Sequence, residues 1–117
     1  MTESEMKQRT KTFALRIIKL TATLSRDFVG RRLADQLLRA GTSVAGNYRA
    51  ACRARSKADF ISKLGIVEEE ADESALWLEL IGESNLLPTK RLTNLLTEAN
   101  ELTAILVASR KTCGRNR

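Results

Sequence analysis

Residues 56–84 read SKADFISKLGIVEEEADESALWLELIGES, and apolar or small positions recur in this stretch every three or four residues. A repeat of that period places its members on one face of an α-helix. Ser56 is a good helix-capping residue, and Asp59 three positions later approximates a capping box. The stretch therefore predicts a helix over about residues 56–84. Its buried face is predicted to consist of Phe60, Leu64, Val67, Ala71, Ser74, Leu78 and Ile81.

The same period predicts three further helices, over about residues 3–25, 29–54 and 88–111. Pro88 suits the first turn of the last of these helices, because it needs no backbone donor there. The connections are only a few residues long, and short connections make successive helices antiparallel neighbours. The predicted fold class is all-α, an antiparallel up-down-up-down four-helix bundle over residues 1–111. Residues 112–117 are predicted to form a basic flexible tail.

The helix predicted over residues 29–54 is apolar on two adjacent stripes. One stripe consists of Leu33, Leu37, Ala40, Val44 and Ala51, and the other of Ala34, Leu38, Gly41, Ala45, Tyr48 and Cys52. So wide an apolar face predicts more partners than one small bundle supplies. Gly41 and Gly46 each cost about 1 kcal/mol relative to Ala inside a helix. They indicate close approach of another helix, or else a local bend.

The composition excludes several classes of protein. A length of 117 residues fits one domain, and the low aromatic content (4%) with a single Pro argues against a β-sandwich or barrel. The chain has no His, which removes Ser–His and Cys–His pairs, and no Gly-rich phosphate loop is present. We therefore predict no catalytic residue, no cofactor and no enzymatic activity.

The acidic run at residues 68–73 is the most tempting metal site, but helical-bundle metal sites pair their Glu residues with His. No metal site is therefore predicted. The run is expected to be a solvated or interfacial acidic face, with Glu68 or Glu70 pairing with an Arg of the second helix, such as Arg39. Cys52 is expected to be a small core residue.

Two Cys residues are too few for a disulfide scaffold, which favours a reducing compartment. No apolar run of membrane-spanning length occurs, and residues 1–11 are polar. A cytoplasmic protein without a membrane partner is expected.

Charge is distributed unevenly along the chain. Residues 1–57 carry 13 basic and 4 acidic side chains, whereas residues 58–109 carry 3 basic and 10 acidic ones. The basic half suits RNA or DNA, since Arg can bind phosphate through two parallel hydrogen bonds. Tyr48 is the one aromatic residue close to the basic cluster, so contact with the phosphate backbone is favoured over reading of bases. The candidate nucleic-acid-binding residues are Arg31, Arg32, Arg49, Arg53, Arg55 and Lys57.

The same charge distribution supports a second hypothesis. The protein is then a structural or adaptor protein, whose basic face docks an acidic protein partner or the acidic face of another copy. Nucleic acid would play no part in that case.

The middle of the chain resembles a known family. The stretches LLRAGTSVAGNY (37–48), RARSKADFI (53–61), KLGIVEEEADE (63–73) and WLEL (77–80) are similar to the four-helix-bundle proteins encoded in 23S rRNA intervening sequences. That family is similar in fold to the accessory variability protein of diversity-generating retroelements, a pentameric barrel that binds nucleic acid and a reverse transcriptase. The resemblance implies a homopentamer with a basic surface, associated with RNA, and a reverse transcriptase or another protein as a further partner.

Residues matching the family motif are expected to be mainly structural. They are Arg39, Ser43, Asn47, Ser56, Phe60, Leu64 and Glu70. Ser43 and Asn47, one turn apart, are expected to hydrogen-bond a neighbouring helix. The predicted interface or structural set is Arg39, Gly41, Ser43, Asn47, Glu68 and Glu70.

Overall fold

The computed structural model describes residues 1–115, which form four α-helices and no strand. The helices are α1 (Glu3–Thr21), α2 (Phe28–Cys52), α3 (Lys57–Glu83) and α4 (Thr93–Arg115), with a short 3-10 helix (Thr89–Arg91) before α4. Each helix packs along the next, and a smaller contact between α1 and α4 closes the ring. The bundle measures 49 × 21 × 19 Å. The predicted four-helix bundle is confirmed.

Side-chain caps set where the helices begin. The Thr2 side chain starts α1 with a capping box, and Asp27 starts α2 by accepting from the Gly30 backbone N at 2.8 Å. The Ser56 hydroxyl starts α3 by accepting from the Asp59 backbone N at 3.0 Å, as the sequence predicts. Asp59 does not complete a capping box with Ser56. Its carboxylate accepts instead from the backbone N of Arg55 and from the Lys63 ammonium.

The first helix ends earlier than predicted, at Thr21 rather than near Ser25. The backbone N–H groups of Thr23 and Leu24 bond three residues back, to Leu20 and Thr21. The Thr23 hydroxyl also donates to the Leu20 carbonyl at 2.8 Å. Threonine hydroxyls compete in this way for the carbonyls that would extend a helix. Leu24 is still buried, so the turn remains anchored to the core.

The last helix is displaced along the chain relative to the prediction. Asn85 has a positive φ of 62°, which ends α3, and Pro88 precedes the 3-10 turn, so that α4 begins at Thr93 rather than at Pro88. At the other end α4 continues to Arg115. The first four residues of the predicted tail (112–115) are therefore helical, and residues 116–117 lie outside the described residues.

One core runs through all four helices and contains most of the predicted stripe positions. Its largest fully buried side chains are apolar ones from every helix, namely Phe13, Ile17, Leu37, Val44, Leu64, Val67, Leu78, Ile81, Leu102 and Leu106. Thr10 and Ser74 are also buried, and their hydroxyls donate to carbonyls of their own helices. Burial of this apolar surface is the main stabilising contribution to the fold.

The wide apolar face of α2 is covered in large part within a single chain. The helix packs against both α1 and α3, and each neighbour covers one side of it. Buried members of the two stripes are Leu37, Ala40, Gly41, Val44, Tyr48 and Ala51, whereas Leu38 is exposed. Ala34, Ala45 and Cys52 are only partly buried, so the need of this face for further partners stays a prediction.

The two small residues of α2 have different surroundings. A Cβ added at Gly41 would lie 2.8 Å from the Ile17 side chain, so the predicted close approach of another helix is confirmed there. At Gly46 a Cβ would meet nothing within 4 Å, and the residue is exposed. Helix packing within the chain therefore does not explain Gly46.

Candidate nucleic-acid interface

The basic residues of α2 lie on its outer face. Arg31 and Arg49 are 18 residues apart, which is five full turns, and they therefore share one side of the helix about 27 Å apart. Arg53 caps the C-terminal end of the same helix. All six predicted nucleic-acid-binding residues are exposed.

Ion pairing separates these six residues from Arg9, Arg39 and Arg110 of the same bundle. Within residues 1–115, the ion pairs join Arg9 to Glu98 and Glu101, Arg39 to Glu70 and Glu73, and Arg110 to Glu68, with two lysine pairs besides. Arg31, Arg32, Arg49, Arg53, Arg55 and Lys57 take part in none of them. Their cationic groups therefore remain available to an external anion.

The fold divides the six residues between the two ends of the bundle. Arg49, Arg53, Arg55 and Lys57, here called the α2–α3 cluster, lie where α2 ends and α3 begins. Because α4 runs parallel to α2, its exposed Lys111 and Arg115 lie at that same end. Sequence reasoning missed these two residues, since Lys111 stands at the end of the last predicted helix and Arg115 in the predicted tail.

Arg31 and Arg32 lie at the opposite end, where α1 is joined to α2. They line one depression together with Arg26 and Phe28, and these four residues are here called the α1–α2 corner. Phe28 is 67% exposed, and the Arg32 guanidinium lies 5.3 Å from the centre of its ring. Sequence reasoning missed Arg26 and Phe28.

Tyr48, the aromatic residue singled out from the sequence, cannot serve as a stacking platform. It is buried, with 7% of its surface exposed, and it belongs to the core. Burial raises the pKa of its hydroxyl above the ordinary range. The helical phase explains both aromatic positions, since Tyr48 lies on the buried side of α2 and Phe28 on the opposite side.

Arg39 joins α2 to α3, as the sequence predicts. Its guanidinium donates to Glu70 at 3.1 Å and also to Glu73, which in turn accepts from the Trp77 indole. Burial, together with the nearby Glu73 carboxyl, raises the pKa of Glu70, and Arg39 opposes the rise. The Ser43 hydroxyl across the α2–α3 contact also acts to lower that pKa. The group holds two helices together.

Two other predicted structural residues have partners different from those expected. Glu68 pairs with Arg110 of α4 at 2.8 Å rather than with an arginine of α2, because it lies on the other side of α3 from Glu70. Asn47 donates to the Ser43 carbonyl of its own helix at 2.9 Å, so the predicted hydrogen bond to a neighbouring helix is wrong for Asn47. Glu68 thus joins α3 to α4, whereas the Asn47 side chain bonds within α2.

The remaining reactive groups are isolated. Cys52 and Cys113 are free and partly buried, and burial raises the pKa of the Cys52 thiol. Among residues 1–115, no group of three or more His, Cys, Asp or Glu side chains is placed to hold a metal ion. No helix in the same range is long and apolar enough to cross a bilayer.

These observations define the class of protein: a four-helix bundle whose second helix presents unpaired basic residues at both ends. The chain belongs to the family of 23S rRNA-intervening sequence proteins, whose family model matches residues 2–108. It is also similar to a crystal structure from Bacteroides thetaiotaomicron VPI-5482, described as a protein with unknown function from the S23 ribosomal protein family. The two chains are 33% identical, with a TM-score of 0.86 over 95% of this chain and 99% of the other.

A comparison with curated proteins finds no significant match. The resemblance to the 23S rRNA intervening sequence family is thus confirmed. The further likeness to the retroelement accessory protein stays a prediction.

Proposed function

We propose that this protein is a non-enzymatic, oligomeric four-helix-bundle protein of the cytoplasm that binds RNA or DNA through the phosphate backbone. The observation that carries the proposal is the set of six exposed Arg and Lys residues that make no ion pair within residues 1–115. Basic side chains without internal partners can displace the counterions of a polyanion, which is the main source of affinity in backbone binding.

The surface between the two basic groups also suits a phosphate backbone. Leu38, Thr42 and Gly46 lie on the outer face of α2 between Arg31 and Arg49. Asp35 is the one acidic residue of α2, so repulsion of phosphate along the helix is small. Gly46 leaves the backbone of α2 open to close approach, with nothing within 4 Å of the position where a Cβ would lie.

Salt dependence tests the proposal directly. Fluorescence anisotropy with labelled RNA and DNA should show binding at low salt. The logarithm of the association constant should then fall by about 0.7–0.9 for each logarithmic unit of salt and each phosphate neutralised. Absence of binding at low salt would contradict the proposal.

A matched pair of triple variants separates a local site from net charge. The changes Arg49→Gln, Arg53→Gln and Arg55→Gln should weaken binding and reduce the salt slope while leaving helicity unchanged. The control changes Lys11→Gln, Lys19→Gln and Lys90→Gln remove the same charge from exposed residues of α1 and the 3-10 turn. Equal losses for the two triple variants would show that binding depends on charge alone.

The outer face of α3 supports the oligomeric part of the proposal. Ile66, Leu76 and Leu80 are each at least 40% exposed there. Among them lie acidic residues that form no ion pair within residues 1–115, namely Glu69, Asp72, Glu79 and Glu83. An apolar and acidic face beside a basic one suits head-to-tail contact between copies. The number five comes from the family resemblance.

Solution mass tests the assembly. The wild type should have a mass that is a multiple of 13.0 kDa. The double change Leu76→Gln and Leu80→Gln should lower that mass, whereas Leu15→Gln with Ile18→Gln, at comparably exposed positions of α1, should not. A monomeric wild type would contradict oligomerisation.

The two oppositely charged surfaces also favour a second candidate, a structural or adaptor protein that docks an acidic protein or another copy through its basic face. On that alternative, the changes Arg31→Glu and Arg32→Glu alter the oligomer mass, and affinity for nucleic acid is negligible in the wild type. The anisotropy titration above therefore separates the two candidates.

A further inference from the structure

The α1–α2 corner combines an exposed aromatic ring with three arginines. Phe28 is the first residue of α2, and two-thirds of its surface is exposed. The Arg32 guanidinium lies within cation–π distance of the ring, 5.3 Å from its centre. Arg26 and Arg31 line the same depression without an ion pair among residues 1–115.

The depression has the size of a ligand site and a polar lining. Its volume is about 540 Å³, within the range of small-molecule sites. The lining residues other than the four of the corner are Thr21, Ala22, Leu24, Ser25, Ala34 and Asp35. Hydroxyl groups, one carboxylate and three guanidinium groups therefore surround an aromatic surface, a combination suited to a ligand with both a phosphate and a flat ring.

The backbone of the corner is held in place before any ligand binds. A Cβ at Gly30 would lie only 2.4 Å from the Ser25 carbonyl, so the loop carrying Arg26 packs directly on α2. Asp27 fastens the same loop by accepting from the Gly30 N at 2.8 Å. Buried Leu24 anchors its other side in the core. Such preorganisation lowers the entropy lost on binding.

We propose that the α1–α2 corner binds one unpaired nucleotide of a single-stranded RNA or DNA. The base stacks on Phe28, and the adjacent phosphates lie against Arg26 and Arg31. Asp35 accepts hydrogen bonds from amino or hydroxyl groups of the nucleotide and repels phosphate from its own side of the depression. This inference rests on the proposed function and adds to it a preference for single strands.

The geometry favours an unpaired base over the other possible occupants. Bases inside a duplex are already stacked on each other and are not free to stack on a protein side chain. An acidic peptide would use the arginines without needing the ring. Stacking on an aromatic side chain is the general way in which proteins bind single strands, and it tolerates any base.

The test measures binding of four labelled probes to the full chain by anisotropy. The probes are a short unstructured RNA strand, the DNA strand of the same sequence, the corresponding duplex, and an abasic DNA strand of the same length. The change Phe28→Ala should weaken binding of the two intact single strands about tenfold. It should leave the duplex and abasic affinities and all salt slopes unchanged.

Two variants control for structure. Phe28→Trp keeps an aromatic ring and should keep single-strand binding. Val29→Ala alters the adjacent exposed apolar side chain and should have no effect. Circular dichroism of every variant verifies that the bundle is folded.

The possible failures are distinguishable. Wild type that binds no probe overturns both this inference and the proposed function. Wild type that binds, with Phe28→Ala unchanged for single strands while the α2–α3 triple variant is weakened, overturns this inference alone. A change in oligomer mass caused by Phe28→Ala would assign the corner to a subunit contact and would also overturn it.

Discussion

Single arginines in this protein are of two kinds, distinguished by what their guanidinium groups contact. Arg9, Arg39 and Arg110 each bind a carboxylate on another helix, and together they join α1 to α4, α2 to α3 and α3 to α4. Arg31 and Arg49 have no such partner within residues 1–115. Residue type alone does not separate the two kinds, because the difference depends on which helix lies opposite.

Arg9 should be the arginine most important for stability. Its Nε and Nη2 donate to the two oxygens of Glu98 at 2.8 and 2.7 Å, and both side chains are partly buried. Hydrogen bonding by Glu98 raises the pKa of Arg9 above its ordinary value. Arg9→Ala leaves a partly buried carboxylate unpaired and should lower the free energy of unfolding by about 2 kcal/mol.

Chemical denaturation measures this loss. The control Lys7→Ala removes an exposed pair with Glu3 at 4.0 Å, and such pairs contribute about 0–1 kcal/mol. Equal losses for the two variants would show that the Arg9 pair is no more than a surface contact.

Substitution by alanine is expected to have opposite effects on stability at two of the glycines. At Gly30 an added methyl group would lie 2.4 Å from a backbone oxygen, so Gly30→Ala should destabilise the protein by about 1–3 kcal/mol. At Gly46 nothing lies within 4 Å, so Gly46→Ala should stabilise it by about 1 kcal/mol. Thermal unfolding of the two variants compares them directly. A stabilised Gly30→Ala would contradict the close packing of the α1–α2 loop.

At the scale of elements, a network of hydrogen bonds among polar side chains joins α2 to α3. Arg39, Glu70, Glu73 and Trp77 form a continuous series of hydrogen bonds across this contact. Burial of Glu70, and next to it the neighbouring Glu73 carboxyl, raises the pKa of Glu70 despite the opposing charge of Arg39. Stability should therefore depend on pH through this contact.

The sign of that dependence follows from the raised pKa. A carboxyl group whose pKa is higher in the folded state than in the unfolded state binds protons more tightly when folded. Its contribution to stability is present below the unfolded pKa and is lost as pH rises through the folded one. Glu70→Gln removes this titration. The stability of the variant relative to wild type should therefore be greater at pH 7 than at pH 4.

Urea unfolding at the two pH values measures the effect. Glu79→Gln, at an exposed position of the same helix, serves as the control and should show a smaller difference. The opposite order at pH 4 and pH 7 for Glu70→Gln would show that the attraction to Arg39 exceeds the burial of the carboxyl.

The elements themselves could largely be predicted from the sequence, because the period of three or four residues identifies the buried face. The phase of that period also indicates on which side of a helix a single aromatic residue lies. Tyr48 lies 11 residues after Leu37 and nearly on the same side of α2. Phe28 lies nine residues before Leu37 and therefore on the opposite side of the helix. The exposure of Phe28 could therefore be predicted from its spacing relative to Leu37.

The helix ends were harder to predict. The stop at Thr21 depends on threonine hydroxyls bonding to backbone carbonyls, and the late start of α4 depends on the 3-10 turn after Pro88. Both depend on local backbone and hydroxyl geometry, which the spacing of the apolar residues does not reveal. Ion-pair partners such as Arg110 for Glu68 depend on helix rotation, which a single sequence leaves open.

At the scale of the whole molecule, the two basic groups are separated by most of the length of α2. From Arg31 to Arg53 the helix rises about 33 Å. A duplex rises about 3.4 Å per base pair, so about 10 base pairs are needed to reach from one group to the other. Shorter duplexes can contact one group at a time.

Binding should therefore depend on duplex length in two stages. Below about 10 base pairs, the salt slope should be small, and substitutions in either basic group should affect it about equally. Above that length, the slope should increase, because both basic groups are engaged at once. Anisotropy titrations over a series of duplex lengths measure the slope, and a slope that does not change with length would contradict simultaneous contact.

The small contact between α1 and α4 has a consequence for local unfolding. Each of these outer helices has one extensive neighbour, whereas α2 and α3 are each packed along two. The central hairpin should accordingly persist when the outer helices detach. Native-state hydrogen exchange should find the slowest amides in α2 and α3, with α1 released as a separate cooperative unit. An oligonucleotide on the outer face of α2 would then remain on the part of the protein that opens last.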